Sequence, residues 1–582
     1  MSRGMKRSVP LAAGLLLTAA FIIYALSGSR ASGPFDKLVQ LLLLVPAALC
    51  IAVFLARSIR KDLVDALRRA VLAPSPRSFI MLASAVLLLF TVWMALFPLE
   101  GIPKGGDEVA YFFQSKVFAE GRLSAPVPPV TDPRGYFPFR HFIFRDGMWL
   151  IMYTPTHALA MAPFTLAGCS WLLGPLEGVL ILIGMYLLVR TLSSELYART
   201  SVLLLLLSPF YILMIPTHMA HNTNLLFVTW SLLLLAMGWK RDRALFSVLS
   251  GLLLGAAFTT KPYPIIAWGI SIAIYMTTRG RKGIRHLACM LVGSLPPAAY
   301  LLATNLYYTG NPLHTTYELA RGGSLVGFGK GSAYYPIYGS FDHTVVKGLR
   351  NVVQQFFVGS VALYGWPGIS GLPVLAGIWA GWKRKGFRWL VLPPALLAAM
   401  LVAHYAPAIA YGPRHYFTML PVFVFLSAYG LVRAAGSLRR RQGVTGSNTV
   451  VLFVAGLFCI SLFVYLPEEI SLRAGPWQAI DTDAHDLAVE NARPPAVVFM
   501  QADEHGYPNI CSGLLFNSPF LTGDYVFCAH QTPDNDRGFM KLFPDHSFYL
   551  YWQDGSGSHL EKWSGALAEE LVPSDSMRLE ER

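Results

Sequence analysis

The chain has 582 residues, of which 54% are hydrophobic and only 14% are charged. Together with many apolar runs of about 17 to 25 residues, this composition excludes a soluble globular protein and predicts a polytopic membrane protein. The net charge of +14 is uneven, because residues 467–582 hold 19 of the 33 acids and only 7 of the 47 bases. Most bases lie in short loops between apolar runs, where they mark membrane topology, so we expect no nucleic-acid partner.

The apolar runs predict an all-α membrane protein with about thirteen transmembrane helices. The first run is long for the core of a signal peptide and a second follows closely, so we expect it to be retained as a span. The predicted spans lie at residues 9–27, 37–56, 79–98, 171–190, 200–216, 222–239, 244–260, 262–277, 286–304, 356–380, 389–406, 414–433 and 449–466.

Clusters of basic residues after every second span predict the orientation. For example, the cluster 240–243 follows the sixth span and the cluster 439–441 follows the twelfth. With the N-terminus in the cytoplasm, all of these clusters fall on the cytoplasmic side. The short apolar stretch 156–168 is then an interfacial or re-entrant helix, because a span there would invert every later loop.

Three segments are predicted to lie outside the membrane: the loop 99–170, the loop 305–355 and the acidic tail. We accordingly divide the chain into three parts. They are two N-terminal spans with a basic loop (1–78), a membrane domain that carries both outer loops (79–466), and an extracytoplasmic α/β domain (467–582).

Local patterns predict elements within the first outer loop. Residues 108–120 predict an amphipathic helix lying on the membrane, because their apolar side chains share one face. Residues 142–145 and 148–151 predict a β-hairpin around Asp146-Gly147.

The tail predicts a small α/β domain, with a helix at 480–491 and strands at 496–500, 525–529 and 548–552. Cys511 and Cys528 both lie in this tail. If the tail is extracytoplasmic they could form a disulfide, and the sequence leaves that question open.

An acidic pair, Asp107-Glu108, follows the third span just outside the membrane. Such a carboxylate could act as a general base that takes the proton of an attacking hydroxyl. It could equally be structural, since Asp is a preferred N-cap and Glu in the first turn suits the helix dipole. The two interpretations are compatible, because a cap also fixes the position of the carboxylate.

Two cations lie on the side of the membrane where positive residues are disfavoured. Lys261 occupies a tight outer link, and Arg414 lies at the outer end of the twelfth span. A phosphate near the outer leaflet would explain both, since Arg can bind phosphate bidentately. The alternative is that both side chains extend to lipid headgroups.

Further polar residues occur at the outer turn between the fifth and sixth spans. His218 and His221, with Asn222, could face one ligand, although a hydrogen-bonding pair is favoured over a metal site. Glu177 lies within the fourth span, where an acid is a functional candidate unless it pairs with a neighbour.

Several motifs in this order carry a family resemblance. An outer Asp-Glu pair opens a helix after a span, and Tyr153-Thr-Pro-Thr-His-Ala-Leu-Ala-Met-Ala-Pro leads into the next span. Later segments are Tyr308-Thr-Gly-Asn-Pro-Leu, Tyr364-Gly-Trp-Pro and Tyr411-Gly-Pro-Arg-His-Tyr-Phe. Over about residues 79–433 the chain resembles the GT-C superfamily of glycosyltransferases. That superfamily includes protein O-mannosyltransferases, aminoarabinose transferases of lipid A and bacterial galacturonosyltransferase-like proteins.

The resemblance implies a polyprenyl-phosphate-linked sugar donor, an extracytoplasmic acceptor and inversion at the anomeric carbon. It implies Asp107 as the catalytic base, with Glu108 as its supporting neighbour. The chain departs from the pattern in having two extra N-terminal spans, and in having Thr154 where aminoarabinose transferases often have a lysine. We therefore expect the donor phosphate to be bound by other cations, namely Arg145, Lys261 and Arg414.

The resemblance also predicts a substrate cavity beside these groups. No cofactor is expected, and a divalent metal is a minor alternative. The residues predicted to line the cavity are Tyr153, His157, His218, His221, Asn222, His415 and Tyr416.

We therefore predict a glycosyltransferase of the bacterial inner membrane, with a periplasmic or extracellular tail and a lipid, glycan or protein acceptor. One alternative is a transporter or flippase of lipid-linked sugars, which predicts related halves and charges at mid-membrane. The sequence shows no such repeat, and acids within the spans are nearly absent. The other alternative is a non-catalytic envelope-assembly protein whose tail binds partners.

Overall fold

The computed structural model describes residues 3–26, 34–321, 326–335, 339–406, 408–475, 480–501, 508–554 and 556–564. Within these ranges the chain is mainly helical and contains three small β-sheets. Seven of the described helices are long and apolar enough to cross a membrane, and four shorter apolar helices accompany them. The predicted all-α polytopic fold class is therefore confirmed.

The helices of the membrane part, in chain order, are α1 (Arg3–Leu26), α2 (Pro34–Ser58), α3 (Leu63–Leu72), α4 (Pro76–Leu96), α8 (Leu173–Leu192), α9 (Glu195–Leu206), α10 (Pro209–Ile212), α11 (His221–Arg241), α12 (Ala244–Thr260), α13 (Pro262–Thr277), α14 (Gly280–Thr309), α16 (Val345–Ala362), α17 (Leu372–Gly381), α18 (Lys385–Arg388), α19 (Leu392–Val402), α20 (Leu420–Ile460) and α21 (Leu466–Ala474). The outer segments hold α5 (Gly106–Ala119), α6 (Pro133–Tyr136), α7 (Thr156–Leu166), α15 (Thr316–Arg321), α22 (Asp483–Asn491), α23 (Pro508–Leu514) and α24 (Pro533–Met540).

Two predicted spans are wrong as single helices. The segment 200–216 breaks after α9, because Pro209 has no backbone N–H to continue that helix and instead begins α10. The segment 356–380 breaks after α16, where Gly365 and Gly368 both adopt a φ of 67° before α17 begins. Positive φ is accessible to glycine at little cost, so these residues permit the turn.

The last two predicted spans are joined within one helical run. α20 extends from Leu420 to Ile460, but Gly443 inside it has a φ of 66° and a ψ of −156°. Two helices therefore meet at Gly443, close to the basic cluster 439–441, as the separate spans 414–433 and 449–466 require.

The predicted hairpin of the first outer loop is confirmed as β2 (Phe142–Arg145) and β3 (Met148–Ile151). Asp146 and Gly147 form its turn with φ values of 49° and 74°. A short strand β1 (Ala125–Pro126) pairs with β3 on its other edge. α7 has 11 residues, which is too short for a span and agrees with the predicted interfacial or re-entrant helix.

The prediction that the helix after Asp107 lies on the membrane surface is wrong, because α5 is buried within the protein. Val109, Phe113 and Val117 are at most 4% exposed. The ring of Phe113 lies 4.7 Å from the rings of both Phe142 and Trp149 in the hairpin. The apolar face that was expected to contact lipid therefore contacts the hairpin.

The tail forms a four-stranded sheet of order β7-β6-β8-β9. Its strands are β6 (Ala496–Met500), β7 (Tyr525–Ala529), β8 (Ser547–Asp554) and β9 (Gly557–Lys562), with β6 parallel to both β7 and β8. The three predicted strands and the predicted helix are confirmed, whereas β9 was missed. In the second outer loop, β4 (Gly329–Tyr335) pairs with β5 (Gly339–His343).

The tail shares one apolar core with the first outer loop. The rings of Tyr136 and Phe539 lie 4.5 Å apart across this contact. The Lys116 ammonium donates to the carbonyl oxygens of Leu515 at 2.7 Å and Asn517 at 3.0 Å. The first loop and the tail therefore form one packed layer beside the membrane helices.

The cysteines of the tail are not joined in the structure. Cys511 and Cys528 are both buried free thiols, on α23 and β7 respectively. Burial raises the pKa of the Cys511 thiol to about 12. Both thiols are thus held as small apolar groups within the core.

α12 and α14 approach each other closely at two glycines. A Cβ added to Gly251 would lie 1.9 Å from the carbonyl oxygen of Met290. A Cβ added to Gly293 would lie 1.9 Å from the carbonyl oxygen of Val248. Small residues at a helix crossing permit such close backbone approach in membrane proteins.

We expect Gly251→Ala to push α12 away from α14 and to destabilise the fold by about 1–3 kcal/mol, the usual cost of overpacking. The measurement is the midpoint of thermal denaturation of the purified protein in detergent. Gly269→Ala in α13 is the matched control, because a Cβ there has no heavy atom within 4 Å. Equal midpoints for the two variants would contradict this packing.

Candidate active site

A cavity of about 620 Å³ lies where α5, the α12–α13 link, α15 and the segment 404–415 converge. Among the described residues, its lining contains more positive than negative side chains. The positive ones are Arg140, Lys261, Arg321 and Arg414, and the negative ones are Asp107 and Glu318. Such a cavity favours anionic ligands.

Asp107 lies in the first turn of α5 and lines this cavity with a side chain that is 13% exposed. The N-cap of the helix is Gly105, which makes no side-chain cap hydrogen bond. The structural alternative that Asp107 serves as the N-cap is therefore wrong. The carboxylate is available to the cavity.

The two oxygens of the Asp107 carboxylate have different partners. Oδ1 accepts a hydrogen bond from Tyr153 Oη at 2.5 Å and lies 3.9 Å from His141 Nε2. Oδ2 lies 3.3 Å from Arg414 Nη1 in an ion pair. Burial raises the pKa of Asp107, but the charges of Arg414 and Lys261 outweigh it, and the pKa falls well below its usual range. Asp107 is therefore ionised at neutral pH.

Lys261 and Arg414 are held beside Asp107 by local backbone geometry. Lys261 is extended, with a φ of −147° and a ψ of 99°, because the following Pro262 disfavours the helical conformation. Arg414 begins a 3₁₀ turn that follows Tyr411 and Gly412, both of which have positive φ. Burial lowers the pKa of Lys261 to about 8, although Asp107 opposes the shift. Both cations line the cavity as predicted.

Glu108 is directed away from the cavity, in contrast to its expected catalytic role beside Asp107. Its side chain is 1% exposed. Oε1 accepts from Tyr411 Oη at 2.6 Å, and Oε2 accepts from the backbone N–H of His218 at 3.0 Å. Burial raises the pKa of Glu108 to about 7, in spite of these two hydrogen bonds. Glu108 therefore joins α5 to the segments that carry Arg414 and His218.

The predicted cavity residues His157, His218, His221 and Asn222 are also buried behind the site and do not line it. Nε2 of His157 donates to the carbonyl oxygen of His218 at 3.0 Å. Asn222 Nδ2 donates to the carbonyl oxygens of Met214, Ile215 and Thr217, which fixes the irregular segment between α10 and α11. These residues therefore support the site by holding the segment between α10 and α11 in place.

Glu177 pairs with a polar neighbour. The sequence had left this interpretation open as the alternative to a functional role. Its Oε1 lies 2.6 Å from Thr223 Oγ1, which lies 2.7 Å from His157 Nδ1. The acid in α8 is thus connected to the buried polar residues behind the site.

The remaining predicted residues divide between the cavity and other surroundings. Tyr153 and His415 line the cavity. Tyr416 lines a separate apolar pocket of about 250 Å³. The prediction that Arg145 binds phosphate is wrong, because its side chain lies on the hairpin, pairs with Asp146 at 2.8 Å and does not line the cavity. Successive side chains of a β-strand point to opposite faces of the sheet, and Arg145 lies on the face that does not line the cavity.

Sequence reasoning missed several lining residues, including Arg140, His141, Arg321, Tyr317 and His404. No signal in the sequence singled out the two arginines. Both lie in long predicted outer loops that hold further cations, whereas Lys261 was identified because it lies in a tight outer link. Within the ranges that the structure describes, no group of three or more His, Cys, Asp or Glu side chains is arranged to hold a metal ion.

Comparisons with known proteins complete this description. Residues 171–308 match the family model described as dolichyl-phosphate-mannose-protein mannosyltransferase. No curated protein sequence matches the chain. ArnT from Cupriavidus metallidurans, solved in the apo state, is similar with a TM-score of 0.52 and 14% identity, covering 82% of this chain and 94% of ArnT. Its complex with undecaprenyl phosphate gives a TM-score of 0.51 and 14% identity, with coverages of 83% and 94%.

The chain has a GT-C fold. The fold that the motif resemblance implied is thus confirmed. The oligosaccharyltransferase of Archaeoglobus fulgidus in its apo form is a more distant match, with a TM-score of 0.41, 10% identity and coverages of 81% and 69%. In this fold the cavity lies beside α5, the helix that follows the long apolar helix α4.

The raised pKa of Glu108 makes stability depend on pH. Between the ordinary value of 4.5 and about 7, the folded state binds more protons than the unfolded state, so stability falls as pH rises through this window. Glu108→Gln removes the titrating group. We expect its thermal midpoint in detergent to change less across this window than that of the wild type.

Glu120→Gln is the control for that measurement, because Glu120 is an exposed carboxylate at the end of the same helix. It should retain the wild-type dependence on pH. A Glu108→Gln profile as steep as the wild-type profile would contradict the assignment of the titration to Glu108.

Proposed function

We propose that this GT-C protein is a membrane glycosyltransferase that moves a sugar from a polyprenyl-phosphate donor to an extracytoplasmic acceptor hydroxyl, with inversion. The observation that carries the proposal is the ion pair between the Asp107 carboxylate and Arg414 in a cavity that a second cation, Lys261, also lines. Asp107 acts as the general base, and Lys261 with Arg414 binds the donor phosphate. A carboxylate and a phosphate site in contact are what inverting transfer from a phosphate ester requires.

In the proposed reaction, the acceptor oxygen attacks the anomeric carbon and its proton passes to Asp107. The bond between the anomeric carbon and the phosphate oxygen breaks as the new glycosidic bond forms. The electron pair leaves with the polyprenyl phosphate, whose growing negative charge Lys261 and Arg414 stabilise. No ATP is needed, because the phosphate ester is already an activated donor.

Arg414 also provides a way for the donor to activate the base. In the free cavity Arg414 pairs with Asp107 and depresses the pKa of that carboxyl. A phosphate bound to Arg414 and Lys261 shares their positive charge, so Asp107 loses part of its stabilisation and its pKa rises. Asp107 thus becomes a stronger base when the donor is bound.

The membrane setting is part of the proposal. ArnT from Cupriavidus metallidurans was solved with undecaprenyl phosphate bound, and we infer a polyprenyl-phosphate donor for the present chain as well. From the basic loops we infer that the N-terminus lies in the cytoplasm, and hence that the cavity and the tail lie on the outer side of a bacterial inner membrane. The two outer loops, both of which supply lining residues, then roof the cavity together with the tail that packs on the first loop, and they select a lipid, glycan or protein acceptor.

Asp107→Asn tests the base directly. We expect glycosyl transfer to fall by about 100-fold or more, because an amide cannot accept the proton of the acceptor hydroxyl. The measurement is mass spectrometry of envelope glycans and glycolipids from cells that carry the wild-type or the variant protein.

Asp146→Asn is the matched control for this substitution. Asp146 lies in the same outer loop, is 70% exposed, and has a positive φ that asparagine also tolerates. It should leave the glycan profile unchanged. Normal transfer by folded Asp107→Asn would overturn the proposed base.

The lowered pKa of Lys261 predicts how donor use depends on pH. With a pKa of about 8, Lys261 loses its charge as the pH rises past that value, and attraction of the donor phosphate weakens. We expect the rate at low donor concentration to fall above that pH. Lys261→Arg keeps its charge and should shift the fall to higher pH. Identical profiles would show that Lys261 does not bind the donor.

A further inference from the structure

Among the described residues, the cavity lining carries more positive side chains than a donor monophosphate needs. Lys261 and Arg414 account for the proposed phosphate site. Arg140 and Arg321 add two more guanidinium groups to the same lining, and the proposed transfer step gives them no role. Glu318 supplies a single negative charge against these two positive ones. Its Oε2 caps α15 by accepting from the N–H and hydroxyl of Thr315 at 3.0 and 3.1 Å.

Arg140 lies on the Oδ1 side of Asp107. Its Nε donates to His141 Nε2 at 3.1 Å, and that same nitrogen lies 3.9 Å from Asp107 Oδ1. Its Nη2 lies 3.6 Å from the position that a Cβ on Gly106 would occupy. The guanidinium therefore packs against the peptide that precedes Asp107.

Arg321 approaches the same side of Asp107 through two tyrosines. Its guanidinium carbon lies 5.3 Å from the centre of the Tyr317 ring, which lies 5.8 Å from the ring of Tyr153. The hydroxyl of Tyr153 donates to Asp107 Oδ1. Nη1 of Arg321 donates to Tyr405 Oη at 3.0 Å, which orients the guanidinium at the cavity wall.

The four cations thus form two groups divided by the Asp107 carboxylate. Arg414 contacts Oδ2. Arg140 is connected to Oδ1 through His141, and Arg321 is connected to it through Tyr317 and Tyr153. Burial lowers the pKa of His141 to about 3, and both arginines add to this shift. His141 is therefore neutral, and the positive charge on that side comes from the guanidinium groups.

We propose that Arg140 and Arg321 bind an oxyanion carried by the acceptor, so that the acceptor is an anionic saccharide with a phosphate or a uronate carboxylate near its reacting hydroxyl. This assignment rests on the proposed function. Guanidinium groups bind phosphate and carboxylate through paired, charge-assisted hydrogen bonds. Held there, the acceptor presents its hydroxyl to Asp107 from the side opposite the donor phosphate.

Isothermal titration calorimetry of the purified full-length protein with inorganic phosphate counts these sites. We expect two phosphates per wild-type chain. Arg140→Gln with Arg321→Gln should weaken one site by about tenfold or more, since each lost bond involves a charged group. The other site should be weakened much less, because it keeps its own cations and loses only the longer-range attraction of the two guanidinium groups. Lys261→Gln should weaken the other site instead.

Further titrants distinguish the sources of the oxyanion. Glucuronate that displaces one phosphate, in the wild type but not in the Arg140→Gln and Arg321→Gln protein, assigns the site to a carboxylate. Glucuronate that displaces neither assigns it to a phosphate. The charge-preserving pair Arg140→Lys and Arg321→Lys should retain two phosphates, and it reports on the site if the glutamine variant does not fold.

Three results would overturn the proposal: a single phosphate per wild-type chain, two unaltered sites in the glutamine variant, or one pyrophosphate that displaces both phosphates. The last would mean that the two groups hold a single diphosphate donor. Because binding is counted without transfer, the outcome is independent of the test of Asp107. Normal transfer by Asp107→Asn with both phosphate sites intact would reject the base and leave this site standing.

Discussion

The ion pair between Asp107 and Arg414 is the contact on which the site depends. A carboxylate that is only 13% exposed is costly unless a partner compensates its charge, and the same holds for a guanidinium. Asp107 belongs to α5 in the first outer loop, and Arg414 belongs to the turn before α20. These two segments are far apart in the sequence. Neither segment can move away without leaving a charge unpaired. The pair therefore fixes the first outer loop over the helix bundle and closes one side of the cavity.

The helical geometry of α5 separates the two acids that follow each other in the sequence. Consecutive residues on an α-helix point about 100° apart, so Asp107 and Glu108 reach different surroundings. Asp107 meets cations and its pKa is depressed, whereas Glu108 meets neutral donors in a dry interior and its pKa rises to about 7. One acid is thus kept ionised, as the proposed base requires. The other connects Tyr411, and with it the segment of Arg414, to the start of α5.

Features set by neighbouring residues could be predicted from the sequence, and features set by distant ones could not. The hairpin around Asp146-Gly147 and the strands of the tail follow from local patterns, and the outer cations from loop charge. Pro209 and Gly365, at which two predicted spans break, are both apparent in the sequence. The breaks were not predicted because each surrounding apolar segment is long enough for a single span. The burial of α5 was not predictable, because part of the protein that packs on α5 is the tail. Lys116 of α5 donates to backbone carbonyl groups of the tail that lie about 400 residues later in the sequence. The orientation of the Glu108 side chain likewise depends on a residue that is distant in the sequence, Tyr411.

The unequal charge of the cavity explains why its cations persist on the disfavoured side of the membrane. Lys261 and Arg414 repel each other, and that repulsion adds to burial in lowering the pKa of Lys261. Asp107 offsets only part of this cost. An anionic ligand would offset the rest, because in a poorly hydrated cavity each added negative charge relieves repulsion more than it would in water. Among the described residues, the positive charge of the free site is therefore only partly compensated, and the proposed affinity for anionic groups and the lowered pKa of Asp107 have the same origin.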